Sequence, residues 1–512
     1  MAIPDKLSDR VEYGDYQTPL CFTRSVCEKL RHFYKFEPTI VIEPTFGTGN
    51  FIDSAKSVFP TAKLICGIEL NPTYYKYGIK RFKSQKASNK ITLYNSDIFS
   101  FDFSIIRKQL SDKDTILIIG NPPWVTNTQL SSMNSRNLPL KDNFKGCSGL
   151  DAITGKGNFD IAENIILKML HYFDGFDCTL AMLCKTIVAK NIIRDMPKLK
   201  FNVTNADMFV FDARAVFNII CDAVLLVIKL GVGTATICDV YDYDTNQKIS
   251  SFGWKNKCFY SDIAAGNALS FINGTCQVEW RQGIKHDCAK VMELTRNGHY
   301  FINGMGESVG LKIGKYLFPL VKSSDIKAHV ISETRKYVIV PQRYVNSDTS
   351  KIKTQDKSLW NYLVRHVDLL DARRSIIYKK APKFSIFGIG NYSFSKYKVG
   401  VSGFYKDPVF ALLIGEHPIM MDDTCYFLSF GKMSDAIITT ALLNSDECKT
   451  FLKSIAFLDS KRPYTKEVLG RIDLRRLHEI LPFDYVRKFA HNMKGGYNIT
   501  KVQYLSYLRN VR

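Results

Sequence analysis

The chain is predicted to carry a doubly wound α/β domain with a largely parallel sheet, followed by a mixed α+β domain. Three observations predict this. Apolar, β-branched runs at residues 39–42, 63–68, 91–94 and 116–119 alternate with stretches of helical periodicity. Each run ends in polar groups, and the carboxyl ends of strands are where open α/β sheets bind ligands. The alternation fades near residue 230, beyond which aromatic and basic residues interleave.

At 512 residues, two large domains are expected. The stretch Leu230-Gly231-Val232-Gly233-Thr234 reads as the linker, which divides the chain into 1–232 and 233–512. The hydrophobic fraction of 46% is that of a globular protein. No run of about 18 apolar residues is present to span a membrane, and the first residues lack the apolar core of a signal peptide. None of the 13 cysteines stands in a C-x-x-C pair, so reduced thiols, a cytoplasmic location and no metal centre are expected. The net charge of +21 is uneven, with +6 in residues 1–235 and +15 in 236–512. Such an excess implies a polyanionic partner, chiefly for the C-terminal half.

Thr18 and Pro19 precede a helical pattern of Leu20, Phe22, Val26, Leu30 and Phe33. They read as an N-cap and first-turn pair. The first strand runs through Glu43 into Pro44-Thr45-Phe46-Gly47-Thr48-Gly49 and then a helix. Glycines there let backbone approach a ligand closely, although the third glycine of a dinucleotide fingerprint is missing. Glu69 closes the second strand about 20 residues further on, a spacing at which an acid accepts ribose hydroxyls. Leu70 comes next. Asp97 closes the third strand, with Ile98 and Phe99 able to flank a ring.

The fourth strand ends in Gly120-Asn121-Pro122-Pro123-Trp124. Two prolines cannot continue a sheet, so the strand stops in a rigid turn. Asn121 Oδ1 and the Pro122 carbonyl can both accept hydrogen bonds from one NH₂ group. Trp124 offers a flat face. The set suits a planar ring bearing an amine.

Residues 125–157 are polar, and so long a loop either closes over a ligand or is a surface insertion. Residues 208–211 and 222–228 read as a hairpin pair. Their linking turn holds Phe217, which serves either core packing or ring stacking. In the C-terminal half Arg281, Lys285, Arg373, Arg374, Lys379, Lys380, Lys396 and Lys398 lie among aromatic residues. Cations in that setting neutralise phosphates while aromatics stack on bases. His286 and Asp287 have no nucleophile or metal set beside them, which favours a structural or phosphate role.

Taken together, residues 13–228 resemble motifs X, I, II, III, IV and VIII of the gamma class of adenine-N6 DNA methyltransferases, the TaqI-type and Eco57I-type modification enzymes. The remainder resembles a target-recognition domain by position, size and charge. The resemblance implies a Rossmann-like methyltransferase domain that binds S-adenosyl-L-methionine. The residues it implies for the cofactor are Thr18, Pro19, Glu43, Phe46, Gly47, Gly49, Glu69, Leu70, Asp97, Ile98 and Asn121. It implies that Asn121, Pro122, Pro123 and Trp124 form the catalytic turn, and that Trp124 and Phe217 stack on a flipped adenine. Double-stranded DNA is the implied partner, gripped by the eight cations named above, with a separately encoded restriction endonuclease as counterpart. Two departures stand out: Trp124, where tyrosine is more frequent, and the long loop after it. Three other readings share parts of the pattern. They are a protein-glutamine methyltransferase, an RNA adenine methyltransferase and a non-catalytic DNA-binding subunit.

Overall fold

The computed structural model describes residues 17–83, 90–111, 113–125, 160–219, 222–458 and 460–510. The chain forms two compact units, Met1–Ile263 and Ala264–Arg512.

The first unit is built on one ten-stranded sheet. Its strands are β1 (Ile40–Glu43), β2 (Leu64–Glu69), β3 (Lys90–Asn95), β4 (Ile116–Gly120), β5 (Cys178–Lys185), β6 (Val203–Val210), β7 (Ala223–Leu230), β8 (Ile237–Asp242), β9 (Lys248–Lys255) and β10 (Cys258–Tyr260). In space they run β3-β2-β1-β4-β5-β7-β6-β8-β9-β10. The pairs from β3 to β5 are parallel, and β7 lies antiparallel to both β5 and β6. Every residue of β1, β2 and β4 is buried, as expected of parallel strands covered on both faces. Among the helices are α1 (Leu20–Tyr34), α2 (Asn50–Val58), α3 (Pro72–Lys83), α4 (Ile161–Phe173), α5 (Thr186–Leu199) and the short α6 (Ala213–Phe217). From β1 the chain builds outward through β2 to β3, then returns to lay β4 on the other side of β1. The strand order therefore reverses between β1 and β4, and their carboxyl ends flank the crevice where such sheets bind ligands. The pairing of Ile42 with Ile118 puts those ends level.

The expected hairpin of residues 208–211 and 222–228 is present as β6 and β7. The expected boundary at 232 is not. Gly231 has φ 149°, and a Cβ on Gly233 would lie 2.7 Å from the Val203 carbonyl. The chain turns there and continues in the same sheet, with β8 parallel to β6. The first unit consequently runs to Ile263. β8 and β9 are only partly covered and their burial does not alternate cleanly, so they leave a weak period in the sequence.

The second unit holds two sheets. One contains, in spatial order, Arg281–Gln282, Cys425–Phe430, Tyr397–Ser402, Ala411–Ile414 and Val330–Ile331. The other contains Ser308–Val309, Tyr300–Ile302, Glu293–Asn297, Lys336–Ile339, Leu317–Val321 and Met420–Met421. The helix Met433–Leu443 is buried from Asp435 onward. A helix that is apolar all round belongs inside a core, and the Thr439 and Thr440 hydroxyls bond carbonyls of their own helix.

Two of the eight cations expected to grip DNA are core residues instead. Lys398 is 1% exposed, and its Nζ donates to the Ser395 and Ile419 carbonyls at 2.9 and 2.8 Å. Burial pulls its pKa down to about 7. Arg373 is 8% exposed and donates to the Leu370 and Ser385 carbonyls, with its guanidinium 3.8 Å from the centre of the Tyr378 ring. Both tie segments of the fold together. Arg374, Lys379, Lys380 and Lys396 are exposed. Arg281 and Lys285 are half-buried, paired with Glu279 and Asp287. His286 is buried, 3.3 Å from Glu293, which fits the structural one of the two roles expected of it.

Candidate active site

Local chemistry shapes the crevice. After β1, Gly47 and Gly49 take φ of +52° and +81°, which side-chain-bearing residues rarely adopt, and Gly49 caps α2. Glu69 grips this turn from β2. One of its carboxylate oxygens accepts from Gly47 N at 2.8 Å, the other from Asn71 N at 2.7 Å. Phe46 turns its ring inward, 2% exposed, onto the face where Gly67 and Gly78 leave room. Its backbone shapes the turn, while its ring belongs to the core. Asp97 holds its own turn through Phe99 N at 2.9 Å. Ile98 is buried and Leu70 is 44% exposed.

Glu43 is the most informative of these residues. It stands at the carboxyl end of β1, 3% exposed, and burial pushes its pKa well above the usual carboxylate range. The Ile52 backbone bonds the carboxylate, and Arg81 opposes the upward shift. Its Oε2 is buried with no hydrogen-bond partner among the described residues, as is Thr45 Oγ1. A buried carboxylate oxygen without a donor is costly. An ammonium group beside it would relieve that cost.

The Asn121–Trp124 turn lies across the crevice. The sequence placed Thr18 at the helix cap, but Pro19 occupies the cap position and α1 starts at Leu20. This shift of one residue leaves the Thr18 hydroxyl available, and Asn121 Nδ2 donates to it at 3.2 Å. Asn50 Nδ2 also donates to the Thr18 carbonyl at 2.8 Å. Gln17, which sequence reasoning passed over, accepts from Thr48 N and Thr48 Oγ1 at 3.1 and 2.8 Å. Arg81 on α3 completes the clamp with bonds to the Thr48 carbonyl, Asn50 and Asp53. The segment before α1, the glycine turn and the β4 turn are thus one bonded unit.

Trp124 and Phe217 do meet, but as partners in packing. Trp124 is 5% exposed and its Nε1 reaches toward the Leu183 carbonyl at 3.4 Å. The Phe217 ring stands edge-on to the indole, with centroids 5.3 Å apart at 73°. Phe22 and Phe211 ring it further. Lys185, at the end of β5, supports the turn from beneath. Its Nζ donates to the Trp124 carbonyl at 2.8 Å and to Asp160 at 2.7 Å. Ile161 N bonds the Val125 carbonyl at 2.9 Å. The residues expected to form a loop over the site, 131–157, lie outside the described residues. Lys185 too was missed, although it obeys the rule that exposed the others, a polar residue closing an apolar strand.

Over 476 residues, 92% of this chain and 98% of the relative, the sequence is 40% identical to the type II methyltransferase M.NspV of Nostoc sp.. The chain belongs to the type II DNA methyltransferases of restriction-modification systems. A second member, the type II methyltransferase M.CvrRI of Paramecium bursaria Chlorella virus XZ-6E, is 30% identical over 118 residues, 23% of this chain and 26% of its own. In fold, this methyltransferase is similar to the type IIL restriction-modification enzyme MmeI, solved in complex with DNA. The TM-score is 0.51 at 12% identity, covering 99% of this chain and 76% of MmeI. No family model matches the sequence. Among the described residues no helix of this methyltransferase is long and apolar enough to cross a membrane.

Proposed function

We propose that this methyltransferase moves the methyl group of S-adenosyl-L-methionine to N6 of an adenine flipped out of duplex DNA, and so protects its sites from a cognate restriction endonuclease. The observation that carries the reading is the bonded unit of Thr18, Asn121 and the glycine turn at the sheet's switch point. When bound, the cofactor supplies an activated methyl on a sulfonium. The buried Glu43 carboxylate suits its ammonium group, Glu69 its ribose and Asp97 its adenine amine.

The protein's own part is to make a poor nucleophile attack. The lone pair of an adenine amine is delocalised into the ring. Two acceptors on that amine, Asn121 Oδ1 and the Pro122 carbonyl, pull its hydrogens out of the ring plane and localise the pair. Thr18 holds the donor corner of the Asn121 amide, which orients the acceptor corner. The prolines fix the carbonyl, and Lys185 braces the turn. No strong base is needed beforehand, because the proton leaves a cationic product. Holding the two reactants in line is worth about 7–11 kcal/mol in favourable cases.

A base stacked in a duplex cannot reach such a turn, so it is extruded at a cost of a few kcal/mol. Trp124 and Phe217 are the rings on which it would stack, each returning about 1–3 kcal/mol. Since the two rings now pack edge to face, Phe217 must shift to admit the base. The charge of the second half supports duplex DNA as substrate. The test offers labelled S-adenosyl-L-methionine with duplex DNA, RNA and protein in parallel, followed by nucleoside analysis of the DNA. Label in N6-methyladenine supports the reading. Label in methylcytosine, RNA or protein refutes it.

A further inference from the structure

In the second unit, a short turn gathers two arginines and an asparagine. The turn Asn391–Phe394 is held to the sheet beneath by Ser429 Oγ, which donates to the Tyr392 carbonyl at 2.9 Å, and is closed by Ser393 N on the Gly390 carbonyl at 2.9 Å. Gly390 is needed there, since a Cβ would lie 2.5 Å from the Tyr392 ring. Two guanidiniums are laid on alternate rings of this turn. Arg281 sits 4.5 Å from the centre of Tyr392, and Arg343 sits 4.4 Å from the centre of Phe394. Tyr344, next to Arg343 in sequence, donates its hydroxyl to Asn391 Oδ1 at 2.7 Å. Arg343, Tyr344 and Asn391 are exposed, and Arg281 is half-buried.

We propose that Arg281, Arg343 and Asn391 read base edges and set the target sequence of this methyltransferase. The inference rests on the reading of duplex DNA as its substrate. It stands on residue type, preorganisation and setting. Arginine bonds guanine through O6 and N7, and asparagine bonds adenine through N6 and N7, whereas a phosphate grip needs only charge. A guanidinium stacked on an aromatic face keeps its planar fork aimed and loses less freedom on binding. The Tyr344 hydroxyl likewise fixes which way the Asn391 amide faces. Lys396 is exposed just past the turn, and Lys285 pairs through its backbone with Phe387, ahead of the turn in sequence. Cations at the edge position a duplex while the ring-supported groups read it. Glu279, which pairs with Arg281 and also accepts from Lys466 at 2.9 Å, must share that arginine with the DNA.

The experiment offers the full-length protein and S-adenosyl-L-methionine a pool of duplexes with a randomised window, then sequences the methylated fraction. The variants are Arg343→Ala, Asn391→Ala and Arg281→Ala, beside Arg343→Lys and Asn391→Asp, which keep bulk and packing while losing the bidentate fork. The expected result is loss of preference at one base pair per variant, by about tenfold or more. The other positions of the site stay as in wild type. In the salt dependence of binding to nonspecific duplex, the slope changes by no more than about one. Unchanged preference in the conservative variants overturns the inference alone, as does a uniform drop across all sequences. Wild-type protein that methylates no duplex overturns the underlying reading of function instead.

Discussion

Asn121 Nδ2 donates to Thr18 Oγ1 at 3.2 Å, joining residues 103 positions apart in sequence. One stands before α1 and the other just past the end of β4. Their bond holds the amide nitrogen of Asn121 against the segment that precedes α1.

Thr18→Val keeps the shape and removes that acceptor. Losing one such hydrogen bond costs about 1 kcal/mol, and if the Asn121 amide works on the target amine as proposed, an amide free to rotate loses more in the transition state than in binding. Single-turnover methylation should fall about tenfold, with little change in the affinity for S-adenosyl-L-methionine. Equal losses in both would reassign Thr18 to the cofactor.

Glu43 tests the cofactor end. Its carboxyl is held well above the usual range by burial. A cationic ligand favours the ionised form, so cofactor affinity should fall as pH drops through that raised value. Glu43→Gln should bind about tenfold more weakly and lose the pH dependence. Calorimetric titration across pH reads both effects.

Lys185 and Asp160 give a stability prediction. Burial raises the Asp160 pKa and Lys185 pulls it back down. An acid whose pKa is raised on folding takes a proton more readily in the folded state, so stability tied to it is gained as pH falls through the raised value and lost as pH rises. Lys185→Met removes the opposing cation and should steepen that loss. Breaking a buried pair costs about 3–5 kcal/mol, and the 24% exposure of the Lys185 side chain puts this one toward the low end. Thermal melts should show a larger deficit near pH 8 than near pH 5.

The buried and exposed cations of the second unit should part company in DNA binding. Each phosphate contact contributes about 0.9 to the slope of log K against log salt. Lys379→Ala and Lys380→Ala should each reduce the slope by up to about that amount. Lys398→Met should leave it unchanged, because Lys398 Nζ is spent on two backbone carbonyls. Filter binding at several salt concentrations distinguishes them.

The first half was legible because its rule is local: a buried apolar strand must stop, and the residues just past its end meet solvent or ligand. That rule singled out Glu43, Glu69, Asp97 and Asn121, and applied once more it would have singled out Lys185. It failed where tertiary context decides. Nothing adjacent in sequence tells that Thr18 forgoes capping for Asn121, or that Gln17 lies on the glycine turn. The boundary was misplaced because a pair of glycines turns the chain back into the same sheet, and edge strands carry little period. Counting lysines could not show that Lys398 faces inward, although its place in Tyr397-Lys398-Val399 within a buried strand is the trace such a residue leaves.

The most direct test of the account is Asn121→Ala, assayed for cofactor binding and for methyl transfer to duplex DNA on the same preparation. The account predicts that binding of S-adenosyl-L-methionine survives while transfer to adenine disappears. Methylation at the wild-type rate would contradict it.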